Sequence, residues 1–322
     1  MRRRHQYHKK VRSQAIAQLA QKHPRKVSKF CELFGCTKQA YYKKKKESSA
    51  SDAVRQKVRS EVLLIRTKMP KLGTRKLHHI MKDNMESKQL KMGRDKLFSL
   101  LRSEGLLVQK TKRYHITTDS KHWMRKYPNL TRNLVLTRPE QLWVADITYI
   151  GTHEKEMYLH LLTDAYSKQI MGYELCTDME ASSTSKALLM GLKNRTYPDS
   201  ELMHHSDRGS QYCSAEYTKI LKTNNIKISM TENGDPYENA VAERINGILK
   251  TEFGLGEKLP DIKQAKHQTK QSINIYNTQR PHYSCTYETP QTMHTQQKIT
   301  VRTYRNKEKF LAYERAKILP CC

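Results

Sequence analysis

Trp143-Val144-Ala145-Asp146-Ile147-Thr148-Tyr149-Ile150 is the stretch on which the fold turns. β-Branched and aromatic residues fill it, as suits a pleated strand, and one carboxylate, Asp146, stands in its middle. Two similar runs, Met157–Thr163 and Gln169–Leu175, follow at short spacing and predict an antiparallel meander. Further on, Ala181–Lys193 has helical spacing, Glu201–His205 reads as a strand, Ala215–Lys222 as a helix and Ile226–Met230 as a strand. Tyr237–Phe253 and Ile262–Tyr276 then read as helices. Three adjacent strands followed by alternating helices and strands predict an α/β fold, a mixed five-stranded sheet with helices on both faces.

Upstream the texture is helical and basic. Val11, Ala15, Ile16, Leu19 and Ala20 recur at helix spacing until Pro24. Val27 to Phe34, a Gly35-Cys36-Thr37 turn with Thr37 placed to cap, and Lys38 to Lys46 form the pattern of a helix-turn-helix. Lys38, Tyr41, Lys43 and Lys44 are the DNA-contact candidates on its second helix. Glu47 to Asp52 (ESSASD) reads as a polar linker. Residues 53–108 are again helical, with Thr74 and Gly93 near helix starts. A second helix-turn-helix and a structural bundle both fit them. Residues 109–140 read as an extended connector. Four regions follow: 1–50, 51–138, 139–255 and 256–322.

Charge divides the same way. The 322 residues carry 60 Lys and Arg against 31 Asp and Glu, a net +29, which points to a polyanion as partner. Residues 141–255 reverse the sign, with 11 basic and 16 acidic side chains. A protein that only coats nucleic acid has no need of an acidic middle, whereas one that holds divalent cations against phosphates does. No apolar run approaches the roughly 20 residues of a membrane span. The seven scattered cysteines support neither a disulfide framework nor a zinc site and fit a reducing cytoplasm.

Three acids stand out from the solvated majority. Asp146 lies within the first strand, and Asp207, in His205-Ser206-Asp207-Arg208-Gly209-Ser210, lies where the fourth strand gives way to a turn. Glu243 lies on the following helix, with 35 residues between it and Asp207. Carboxylates converging from two strands and a helix can hold two Mg²⁺ ions about 4 Å apart, and Mn²⁺ suits the same hard oxygens. Asp164 rivals the second position but sits where a hairpin turns. Glu238 and Glu252 rival the third, the former in a first helical turn that favours any acid.

WVADITYI, HSDRGSQY, DPYENAVAERINGILKTE and YNTQRPH, in this order and spacing, resemble the catalytic core of bacterial insertion-sequence transposases of the OrfB type. These belong to the DDE superfamily that includes retroviral integrases. The resemblance implies an RNase H-like fold over about residues 140–295 and assigns Asp146, Asp207 and Glu243 as the metal-binding triad. It also implies a basic residue seven positions after the glutamate, and Lys250 fills that place, two helical turns on and so on the same face. Asn239, four residues before the glutamate on the same face, is a candidate to orient it or to touch DNA, and Arg244 is a further candidate DNA contact. Arg280 and His282 of the YNTQRPH segment are candidates for phosphate contact or for packing. Glu238 stands where the family usually has Asp.

The function implied is a DNA transposase that recognises terminal inverted repeats, cleaves at the transposon end and uses the 3′-OH to attack target DNA. An oligomer on DNA is implied too. Family members are commonly fused to an upstream frame that supplies a coiled coil; this chain has no sustained heptads, so an OrfA-type partner is a further expectation. Two rivals differ in kind. A non-catalytic regulator predicts a broken triad, and a nuclease of the RNase H type predicts cleavage without joining.

Overall fold

The computed structural model describes residues 12, 15–88, 90, 92–109, 123–132, 134–232 and 239–295. Glu238, much of the connector and the basic tail after 295 lie outside them. The chain divides into two compact units, Met1–Leu63 with Ser87–Lys91, and Leu64–Glu86 with Met92–Cys322.

In the first unit a short helix, Val27–Leu33, is followed by a turn and by the helix Lys38–Lys68, whose last residues, from Leu64 on, belong to the second unit. Gly35 takes φ +61°, the left-handed conformation that side chains resist. Cys36 N–H donates to the Cys31 carbonyl at 2.9 Å and Gly35 N–H to Glu32 at 3.0 Å, closing the helix end. Thr37 Oγ1 accepts from Ala40 N–H at 3.1 Å and so caps the next helix as its position predicts. Ile16, Val27, Cys31 and Tyr41 form the small core beneath. Two expectations are corrected. The ESSASD run is no linker but lies within the Lys38–Lys68 helix, because no Gly or Pro interrupts residues 38–68. Tyr41 is 8% exposed and belongs to the core, so it is not available to DNA; Lys38, Lys43 and Lys44 are exposed.

The second unit holds the sheet. Strands β1 (Leu142–Gly151), β2 (Glu156–Asp164), β3 (Ile170–Cys176), β4 (Met203–Ser206) and β5 (Lys227–Met230) are ordered β3-β2-β1-β4-β5. β1–β2 and β2–β3 are antiparallel, while β1–β4 and β4–β5 are parallel. The alternation of β1 fixes both faces. Trp143 and Ala145 enter a core with Leu188 of the Ala181–Lys193 helix and Leu221 of the Ala215–Thr223 helix. Leu142 and Val144 point to the other face, where they meet Ala242 of the Ala240–Glu252 helix. Asp146 shares their parity and faces that helix. Two further helices, Thr74–Ser87 and Arg94–Ser103, bury Leu77, Met81, Leu97 and Leu101. No helix among the described residues is long and apolar enough to cross a membrane.

The sheet and the Ala181–Lys193 helix touch through glycine. A Cβ on Gly172 would stand 2.0 Å from the Ala187 carbonyl oxygen and 2.8 Å from Gly191 N, both backbone atoms that cannot swing aside. Gly247, within the Ala240–Glu252 helix, has open space where its Cβ would go. Gly172→Ala is therefore expected to cost about 1–3 kcal/mol by overpacking. Gly247→Ala should gain about 0.5–1 kcal/mol of helix stability. Thermal unfolding of the two variants should move in opposite directions.

Candidate active site

The parallel register brings the two aspartates together. Val144 pairs with His205, so continuing the ladder by two residues sets Asp146 of β1 beside Asp207, just past the end of β4, on one face of the sheet. Burial pushes the Asp146 carboxyl up, the negative charge of Asp207 adds to it, and its pKa reaches about 7. Hydrogen bonds from Asn246 and Ile147 oppose the shift, and the charge of Glu243 adds less to it than that of Asp207. Gly209 N–H donates to Asp207 Oδ1 at 2.9 Å, fixing the carboxylate against the turn. The Tyr212 hydroxyl is fully buried nearby and pushed well up by burial and by both aspartates.

Glu243 lies in the first turn of the Ala240–Glu252 helix, exposed, with its carboxyl raised by partial burial. Asp146 and Asp207 are thus adjacent and Glu243 stands on the same side. Among the described residues no three acids, histidines or cysteines already converge as a closed cage. The donor set nonetheless suits a hard divalent cation: carboxylate oxygens side by side, one of them held near its neutral form by burial and by its neighbour's charge.

Asn246 is the residue that the sequence reading missed. Its Nδ2 donates to Asp146 Oδ2 at 2.7 Å, and its Oδ1 is buried without a hydrogen-bond partner. Its spacing, three after Glu243 on the same helix face, was the available signal. Of the two roles open to Asn239, the structure gives it the positioning one, as an anchor. It is 7% exposed, and its Nδ2 donates to the Ala145 carbonyl at 3.0 Å, pinning the start of the helix beside Asp146. Lys250 is half-buried on this helix. Burial lowers its pKa and the charge of Asp146 raises it, so its ammonium lies within electrostatic reach of Asp146. Arg244 is exposed. His205 is buried with Nδ1 2.8 Å from Ser229 Oγ.

Arg280 is likewise corrected. It is 1% exposed, and its Nε and Nη2 donate to the two Glu252 oxygens, each at 2.9 Å. Lys76 Nζ joins the same carboxylate at 2.7 Å. Burial lowers the Lys76 pKa to about 8, with the Arg280 charge adding and Glu252 opposing. His282 is buried as well. The rivals for the triad have roles of their own: Glu252 is this ion-pair centre, and Asp164, fully buried, accepts from Ser167 N, Ser167 Oγ and Glu140 N, each at 2.7 Å.

Residues 137–236 match the Integrase core domain family, and residues 224–290 match a second family of the same description. The chain is 34% identical over 258 residues to the insertion element IS600 uncharacterized 31 kDa protein of Shigella sonnei, covering 78% of this chain and 92% of that one. It is 33% identical to the transposase for IS629 of Shigella sonnei (58% of this chain, 61% of that). It is 34% identical to transposase InsF for IS3A of Escherichia coli (49% and 54%). Among solved structures, the HTLV-2 integrase catalytic core is similar at 19% identity and a TM-score of 0.40, over 49% of this chain and 97% of that one. The chain belongs to the bacterial insertion-sequence transposases of the DDE superfamily, and its sheet is the mixed, RNase H-like sheet expected.

Two outcomes follow. Arg280→Ala leaves Glu252 buried with one cation fewer and should lower stability by about 3 kcal/mol or more, without changing the DNA affinity of the folded fraction. Denaturant unfolding and DNA titration separate the two effects. For Asp146, the raised pKa makes its stabilising contribution complete below about pH 4 and progressively lost as pH climbs through about 7. In chelator, wild-type Tm should fall between pH 5 and 8. Asp146→Asn should flatten that fall and be the more stable protein at pH 8; a wild-type profile flat over this range would contradict the assignment.

Proposed function

We propose that the chain cleaves DNA at transposon ends and joins the freed 3′-OH to target DNA, with Asp146, Asp207 and Glu243 as its metal-binding residues. The observation that carries the reading is the pair of aspartates set side by side by the β1–β4 ladder, with Asp146 raised to about 7 by burial and by its neighbour. A divalent cation, Mg²⁺ with Mn²⁺ as substitute, would offset that repulsion. When bound it supplies charge stabilisation at phosphorus and activation of the attacking hydroxyl.

The chain's own residues do the rest. Asn246 orients the Asp146 carboxylate, and Asn239 holds the helix that carries Glu243. Lys250 binds a phosphate near the carboxylates, and exposed Arg244 extends that contact along the strand. Displacement at phosphorus by water and then by a 3′-OH needs no covalent intermediate, so no serine or histidine nucleophile enters. The capped turn before Lys38, with Lys38, Lys43 and Lys44 exposed, is suited to recognise the terminal repeats. Pairing of two DNA ends calls for a homo-oligomer on DNA, with an OrfA-type upstream protein as a candidate partner.

With Mg²⁺ and DNA carrying the element's ends, the chain is expected to yield cleaved and joined products. Asp207→Asn and Glu243→Gln should each reduce both by at least about a hundredfold. Joining that survives either change refutes the triad, and cleavage without joining favours a nuclease. At pH 8, Mn²⁺ should raise the Tm of the wild type and leave Asp146→Asn nearly unmoved.

A further inference from the structure

We propose that the exposed face of the Ile262–Thr278 helix, with the groove along its flank, grips the phosphate backbone of a DNA duplex outside the active site. The proposal rests on the transposase reading and says where a second stretch of DNA lies.

The helix is unusual in composition. Its 17 residues include Lys263, Lys266, Lys270 and His267 and no acid. At 3.6 residues per turn the three lysines fall within an arc about 60° wide, and a row of Asn274, His267, Gln271 and Gln264 runs beside them. Ala265, Thr269, Ser272, Ile273 and Tyr276 are buried on the opposite side, which fixes the rotation and turns both rows outward. All three lysines are exposed, and none is in an ion pair among the described residues. Two carboxylates at the start of the helix are engaged on backbone: Asp261 accepts from Gln264 N–H at 2.6 Å and Glu154 from Ile262 N–H at 3.2 Å.

An ordinary solvated helix of this length interleaves acids with its lysines, since i,i+4 pairs stabilise it. A lysine row with no acid to balance it repels itself, and it is followed immediately on its flank by amides that can donate or accept. A groove of about 620 Å³ opens there, walled on the far side by Thr67, Lys68 and Pro70 and lined on the helix by Gln264, Gln268 and Gln271. Lys68 Nζ reaches the groove and bonds Gln279 Oε1 at 3.3 Å. None of the catalytic acids lines it.

The geometry selects the ligand. From Lys263 to Lys270 the row runs about 10 Å along the surface, a line of compact charges with no enclosed pocket, which fits repeating phosphates better than a single small anion. Amides beside it can bond phosphate and sugar oxygens without reading sequence. The residues preceding the helix make the contrast sharper, because positions 141–255 carry more acidic than basic side chains. A basic face on the edge of an acidic domain gives DNA one side to lie on.

The test uses the full chain with all three lysines replaced (Lys263→Ala, Lys266→Ala, Lys270→Ala), and binding to an unrelated duplex measured across a salt series. Each lost phosphate contact should lower the slope of log K against log salt by about one, so a drop of about three is expected. Lys→Arg at the same positions should restore the slope. Circular dichroism checks that the variant is folded. Cleavage of a saturating end-bearing substrate should be retained, while joining to a separate target falls. Unchanged affinity and slope in the folded variant overturn the proposal and leave the transposase reading standing. A lost slope in a chain whose wild type never cleaves or joins DNA upholds the surface and sinks the transposase reading.

Discussion

Two like charges forced together are the constraint around which this molecule is arranged. The β1–β4 ladder ends two residues before Asp146 and Asp207, and so delivers both carboxylates to the same end of the two central strands. One of them is held near neutrality by burial and repulsion. The neighbouring donors reduce that cost without abolishing it: Asn246 donates to Asp146, and backbone N–H groups of Ile147 and Gly209 serve the two carboxylates. The stability that tolerates such a pair comes from elsewhere, chiefly from the close-packed face where Trp143 and Leu188 are fully buried.

Opposite charges do the complementary work at two other places. Glu140, fully buried at φ +52°, accepts from Arg195, from the backbone of Thr196 and Tyr197, and from His294. Burial pushes its carboxyl up, but these bonds outweigh it and hold the pKa below the usual range. Glu252 plays the same part for Arg280 and Lys76. Through these two carboxylates the segment after the Ile262–Thr278 helix is tied to the start of β1 and to the end of the Ala240–Glu252 helix. A buried pair of this kind adds little net stability over apolar packing, yet it specifies one arrangement, because every alternative leaves a charge unpaired.

The periodic parts of this fold were open to reading from the chain. Runs of β-branched and aromatic residues located all three antiparallel strands to within a residue or two, and the Ala181–Lys193 helix has the bounds its spacing predicts. Local chemistry does not tell inward from outward for amphipathic side chains. Tyr41 and Tyr42 are neighbours of one type, and only packing against Ile16 and Val27 decides that the first is buried. Arg280 reads as a phosphate contact until Glu252, 28 residues away, is seen to meet it. Asn246 escaped notice because an amide carries no charge and its partner is 100 residues distant. ESSASD misled for another reason: small polar residues suggest a loop, but without Gly or Pro they only weaken a helix whose flanks propagate through them.

The Ala240–Glu252 helix explains why the third acid stands apart from the first two. Its start is pinned by Asn239 to β1, its middle by Asn246 to Asp146, and its end by Glu252 to Arg280 and Lys76. Three attachments fix both its position and its rotation, so the directions of Glu243 and Lys250 are consequences of the packing and not independent choices. Turned inward, a third carboxylate would meet two others in a low-dielectric site and raise the cost of the metal-free fold further. Turned outward, Glu243 is only partly desolvated, and the strong repulsion is confined to two groups. The arrangement confines the strong repulsion to Asp146 and Asp207 and leaves Glu243 beside them at the surface.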